Sequence, residues 1–172
     1  MKVLKFGGSS VANSQNINKV LDIVYMVSQN QRVAVVVSAF GKTTDALIKG
    51  ANLAAQKNED YLKILNNIET HHFDVIHELI PLKNQSEIIS HCKKLFNQLE
   101  TIYKGCFLLQ EITPKTLAKI SSFGELLSSF IIANAAKDRF ETVYKDTREL
   151  IIASDAYNNA LVDFESTNKN CL

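Results

Sequence analysis

With 172 residues, 46% of them apolar and 22% charged, the chain has the make-up of an ordinary soluble globular protein with one proper core. A formal net charge of +1 excludes a global field that would gather nucleic acid or an anionic membrane, and no run reaches the roughly 20 apolar residues of a membrane span. Cys92, Cys106 and Cys171 are odd in number and share no metal-ligand spacing, so free thiols in a reducing cytoplasm are expected.

Lys2 to Phe6 reads as a short strand that two glycines end. Met1 to Gly8 holds too short an apolar stretch for a signal peptide. After Ser10, apolar residues at Ile17, Val20, Leu21, Val24 and Val27 follow helical spacing, and the polar Gln29-Asn30-Gln31 should end that helix near Asn30. Val33 to Val37 is continuously apolar and mostly β-branched, which predicts a parallel strand buried on both faces. The chain thus begins as a βαβ unit with a right-handed crossover expected.

Ser38 to Thr44 is a loop, and a helix is predicted from about Asp45 to Gln56. Residues 59–112 are charged and helical, broken at Pro81-Leu82-Lys83-Asn84, and predict two antiparallel helices as a satellite lobe. Thr113-Pro114 is a helix start, with Thr as N-cap and Pro in the first position. Leu117, Ile120, Leu127, Ile131 and Ala135 then form an apolar stripe. Phe140 to Tyr144 is read as a third strand and Ala160 to Phe164 as a fourth, with a polar turn from Asp146 between them. Glu165-Ser166-Thr167-Asn168 signals one more helix just before Leu172. An α/β sheet that stops on an opening helix signal is expected to be part of a longer chain.

Three stretches could carry chemistry. The first is KFGGSS, Lys5 to Ser10. Ligands of open α/β sheets sit beyond the carboxyl ends of strands, where this loop falls. Glycines let backbone N–H groups converge on an anion, and Lys5 would place a cation beside it. The loop is neither a Walker A sequence nor a dinucleotide fingerprint. A tight βα turn that needs glycine sterically, with Lys5 solvated, explains the same residues.

The second is SAFGKTTD, Ser38 to Asp45, which should open on the same face. Simple capping by Thr43 or Thr44 would account for it alone. The third is SSFGELLS, Ser121 to Ser128. A glycine inside a helix costs roughly 1 kcal/mol against alanine, and here it precedes a carboxylate among Phe123, Leu126 and Leu127. Either Gly124 permits a close approach while Glu125 reaches water, or Glu125 faces a pocket and holds a substrate cation. His71, His72, His77 and His91 lack the i, i+4 register of helix ligand pairs, and solvated or half-buried helix histidines are expected.

Together, KFGGSSV, VVVSAFGKTTD and SSFGELLS, in this order and at these separations, resemble aspartate kinases of the amino-acid kinase family. The resemblance continues into DTRELIIASDAYNNALVDFEST. It implies an α/β fold, a three-layer α/β/α sandwich around a mainly parallel sheet, here truncated and carrying the helical lobe. It also implies transfer of the γ-phosphoryl of ATP, with Mg2+, to the side-chain carboxylate of L-aspartate, the first step of lysine, threonine and methionine biosynthesis. By position, Lys5 matches the lysine that stabilises charge on the phosphoryl in flight, and Gly7 and Gly8 the glycines whose N–H groups approach phosphate. Ser9 stands where the family usually has Thr, and Ser10 matches the serine beside it. Ser38 and Thr44 fall on the hydroxyl positions of the second loop, Thr44 near the bound aspartate. Glu125 matches the glutamate that holds the α-amino group. Leu126-Leu127 stand where an arginine or similar polar residue often follows. No metal ligand is assigned in this chain.

A GRGGSD-type motif and the residues that hold ATP and metal have no counterpart in the sequence, nor do regulatory modules or a homoserine dehydrogenase region. The resemblance therefore implies the amino-terminal portion of the kinase domain over residues 1–172, inactive alone, with a homo-oligomer expected for the full-length protein. Another amino-acid kinase with a different acceptor, or a non-catalytic scaffold of the same fold, is the alternative.

Overall fold

The computed structural model describes residues 1–154 and 160–171. Residues 155–159, inside the last stretch of the resemblance, lie outside the described residues. β1 (Lys2–Phe6) and β2 (Val33–Val37) pair in parallel, from Lys2 beside Val33 to Phe6 beside Val37. Between them runs α1 (Ser14–Ser28), capped where the Asn13 side chain accepts from the Asn16 N–H at 2.9 Å. Its stripe of Ile17, Val20, Leu21 and Val24 is buried, as the spacing predicts. A 3-10 turn, Gly8–Val11, intervenes between β1 and α1.

α2 (Thr43–Ala55) is the hub of the helical layer, packed against the three long helices that follow. Leu47, Ala51 and Ala54 are fully buried. α3 (Asp60–Leu79) and α4 (Leu82–Leu109) form a hairpin hinged at Ile80-Pro81. The pair packs across α2, so the lobe is part of the main core and not a satellite. α5 (Pro114–Lys137) begins as predicted, with the Thr113 hydroxyl accepting from the Thr116 N–H at 3.1 Å. Its length and an 18-residue mean hydropathy of 1.2 reach those of a membrane span. Yet serines and Glu125 interrupt it, while Ile120, Phe123, Leu127 and Ile131 lie in the core. It is built as a core helix.

Three expectations about strands are corrected. β2 is not buried on both faces, since Val35 and Val36 are 39% and 44% exposed. β1 is its one neighbour among the described residues. Phe140 to Tyr144 is not a strand. The Phe140 N–H bonds back to the Ala136 carbonyl at 3.0 Å, and the Phe140 and Tyr144 rings pack against Tyr25 and Phe130. Ala160 to Phe164 gives a single antiparallel bridge, Val162 to Ala153, before α6 (Phe164–Cys171) starts. A strand needs a partner's ladder, which apolar sequence alone does not supply.

Candidate functional site

The KFGGSS and SAFGKTTD loops leave adjacent strand ends and are joined to each other. The Ser38 N–H donates to the Phe6 carbonyl at 3.1 Å, and the Gly41 N–H to the Gly8 carbonyl at 3.0 Å. A Cβ on Gly8 would sit 2.9 Å from the Gly41 carbonyl oxygen and 3.0 Å from that of Ala39. Gly8 is therefore required by contact between the loops. Gly41 has φ +53°, the left-handed region that favours glycine. Gly7 differs from both, with extended backbone at φ −76° and nothing within 4 Å of where its Cβ would lie. No packing within the described chain calls for glycine there. The steric account of KFGGSS thus covers Gly8 and leaves Gly7 unexplained.

Lys5, paired in register with Val36, is exposed and has no hydrogen-bond or ion-pair partner among the described residues. Ser9 and Ser10 are also exposed, in the turn that follows. This end of the sheet therefore presents an uncompensated cation beside open backbone and two hydroxyls.

The capping explanation of the second loop fails. α2 has Lys42 at its N-cap with no side-chain cap bond. The Thr43 hydroxyl instead donates back to the Phe40 carbonyl at 2.6 Å. That leaves the half-buried Thr44 without a capping duty, its Oγ1 3.6 Å from an ideal Cβ on Gly124.

α5 closes the arrangement. A Cβ at Gly124 would lie 2.7 Å from the Ala39 Cβ, so only glycine lets the helix approach this near. Glu125 Oε1 accepts from the buried Ala39 N–H at 3.2 Å, and the Ser128 hydroxyl donates to the Ser38 carbonyl at 2.9 Å. The close-approach reading of SSFGELLS holds at Gly124, while Glu125 turns one oxygen toward the second loop. Glu125 is itself exposed, and its second carboxylate oxygen has no partner among the described residues. Gly124→Ala should destabilise the fold by about 1–3 kcal/mol through overpacking and shift the Ala39 and Ser38 amide resonances, read by urea unfolding and amide NMR spectra.

Two contributors escape sequence reasoning. Ser128 was visible only as the last letter of a motif, although its spacing of i, i+3 from Glu125 puts both on one helix face. His72 is not the half-buried histidine expected but fully buried under the second loop. Its place in the α3 stripe with Tyr61, Leu65, Ile68 and Val75 was a readable signal. Burial pushes its pKa down to about 4, against the raising effect of its bond to the Ile68 carbonyl and with help from neighbouring His71. Among the described residues no group of three His, Cys, Asp or Glu converges to hold a metal ion.

The sequence profile described as the Amino acid kinase family matches residues 1–145. The chain is 32% identical to a bifunctional aspartokinase/homoserine dehydrogenase of Buchnera aphidicola, covering 99% of this chain and 21% of that protein. It is also 32% identical to an aspartokinase of Candida albicans, over 94% of this chain and 30% of that one. Among solved structures, E. coli aspartokinase III in complex with aspartate and ADP superposes with a TM-score of 0.87 at 24% identity, covering 99% of this chain and 36% of that chain. The present chain thus spans about a third or less of the length of these proteins. A match over residues 1–145, the stretch that contains the strands, loops and helix of the site, shows that the chain belongs to the amino acid kinase family.

Proposed function

We propose that these residues form the phosphoryl-facing and aspartate-facing walls of an aspartate kinase, which transfers the γ-phosphoryl of ATP to the side-chain carboxylate of L-aspartate. The observation that carries the reading is the convergence of the two loops and Glu125 around Ala39, with Gly7 left open beside an unpaired Lys5. Residues 1–172 are the amino-terminal portion of the kinase domain, and the nucleotide is held mainly by a remainder outside this chain. The relative solved with aspartate and ADP supports this choice of substrates.

Phosphoryl transfer requires positioning and charge neutralisation more than covalent help from the protein. Aspartate's side-chain carboxylate, with a reference pKa of about 3.9, is already ionised at neutral pH and attacks phosphorus directly, so the described residues need supply no base. Lys5 lies where it can offset negative charge gathering on the transferred group, and Gly7 admits phosphate oxygens to the backbone N–H groups because no Cβ stands in the way. Gly8 and Ser9 continue that wall with further N–H groups, and Ser9 and Ser10 with hydroxyl donors. Ser38 and Thr44 border the acceptor, and Glu125 holds its α-ammonium with the carboxylate oxygen that Ala39 leaves free. Mg2+ would enter with ATP, its ligands lying beyond the residues described. A cytoplasmic homo-oligomer is the setting in which we place the full-length enzyme.

Glu125→Gln separates this role from a structural one, because the amide oxygen still accepts from the Ala39 N–H while the charge is lost. In full-length protein, ATP-dependent formation of aspartyl hydroxamate should show KM for aspartate raised about 10- to 100-fold, the worth of one hydrogen bond to a charged group. Turnover with glutamate or carbamate in place of aspartate would support the alternative acceptor, and no turnover with any would support a scaffold.

A further inference from the structure

His72 is 0% exposed, yet it is polar and imperfectly satisfied. Its Nδ1 lies 2.7 Å from the Ile68 carbonyl one turn back on α3, to which it donates, while Nε2 has no partner among the described residues. Leaving a buried polar atom unsatisfied is destabilising, so an apolar side chain would fill the space better. The ring offers a flat, rotationally fixed face in return. It stacks on Phe40 at 4.9 Å between centroids and 25° between planes, and Phe96 of α4 meets it edge-on at 5.7 Å.

Phe40 occupies the middle of the second loop and is 1% exposed. Its two neighbours make the bonds that assemble the site, Ala39 to Glu125 and Gly41 to Gly8. Its own carbonyl takes both the N–H and the hydroxyl of Thr43. Phe40 is thus anchored between the two residues whose N–H groups join the site, and loss of that anchor would free both to move.

We propose that His72 is a positioning residue, an aromatic plate in the helical lobe that holds Phe40 and thereby keeps the Ala39 and Gly41 peptides in register with Glu125 and Gly8. Its aromatic face matters here and its polarity does not. The consequence for aspartate binding rests on the function proposed above, whereas the consequence for the loop does not.

Amide hydrogen exchange tests the loop directly. His72→Leu fills the space without a plate, and exchange at Ala39 and Gly41 should accelerate about tenfold more than at Leu99 in the core of α4, which reports wider opening. His72→Phe should keep wild-type protection, and Phe40→Leu should reproduce the selective loosening from the other side. Equal acceleration at all three amides in His72→Leu, or selective loosening in His72→Phe, would overturn the assignment. In the full-length enzyme, His72→Leu should raise KM for aspartate about tenfold with kcat little changed, and His72→Phe should restore it. A wild-type enzyme with no aspartate-dependent turnover would defeat the proposed function while the exchange result still decided the role of His72.

Discussion

Lys5→Ala in the full-length protein should lower kcat for aspartyl phosphate formation by roughly 10²–10³, the usual loss when one preorganised charge-stabilising donor is removed. The size follows from what the site lacks as much as from what it has. In the proposed mechanism no covalent nucleophile or general base is needed from the described residues, so charge compensation at the transferred phosphoryl is a large part of what they would contribute. Lys5 forms no ion pair or hydrogen bond among the described residues, and its side chain is exposed. Its removal should therefore leave the fold intact, with a change in stability within about 0.5 kcal/mol. A rate loss without a stability loss is the signature to measure, by the hydroxamate assay beside thermal unfolding. KM for aspartate should change little, because the role proposed for Lys5 is to offset charge that develops during transfer. An unchanged kcat would leave the scaffold reading standing.

The second large effect concerns acid stability. Burial pushes the His72 imidazole pKa down to about 4, against 6.5 for a solvated histidine. Above pH 7 the ring is neutral in both folded and unfolded chains and contributes no pH dependence. As pH falls below 6.5 the unfolded chain takes up a proton that the folded chain refuses, so stability declines with falling pH. The decline approaches 1.4 kcal/mol per unit and amounts to about 3 kcal/mol by pH 4. Urea unfolding at pH 7.5, 5.5 and 4.5 should show this loss in the wild type and not in His72→Phe. The comparison between the two chains removes the contribution of groups that both share. Equal acid sensitivity in the two would mean that His72 is solvated at low pH and that its burial is not maintained.

The two histidine measurements bear on different parts of one contact. Acid titration probes whether the ring stays dry, and exchange probes whether its face steers Phe40. His72→Phe is expected to be the more stable protein at low pH while keeping the loop in place. That combination would show that the polar atoms of His72 are tolerated rather than used for packing.

Local signals were sufficient for the helices. Thr113-Pro114 and the 3.6-residue stripe of α1 point to elements that the structure contains, because capping and amphipathic burial are properties of neighbouring residues. KFGGSS and SAFGKTTD were likewise legible as loops at strand ends, since strand, glycine and helix follow each other directly. What failed were predictions that needed partners far along the chain. Phe140 to Tyr144 has strand-like composition but no ladder beside it, and its rings find aromatic neighbours on α1 and α5 instead.

The sequence by itself determined the order of the first two strands and of the helices, the chemical types gathered in three short motifs, and the family resemblance they carry. Only the tertiary structure decided what each member of those motifs does. It assigned Gly8 and Gly124 to close approaches, left Gly7 without a packing reason, released Thr44 from capping, and brought Glu125 and Ser128 onto the N–H and the carbonyl of the one peptide that links Ser38 and Ala39. It also took His72 from the solvated or half-buried histidines expected to a fully buried ring stacked on Phe40. The physical reason is separation along the chain. Capping and amphipathic periodicity act over a few residues, whereas the contacts that shape the site join residues 32 to 90 positions apart, from Phe40 and His72 to Ser38 and Ser128. Such contacts exist only once the helices have packed.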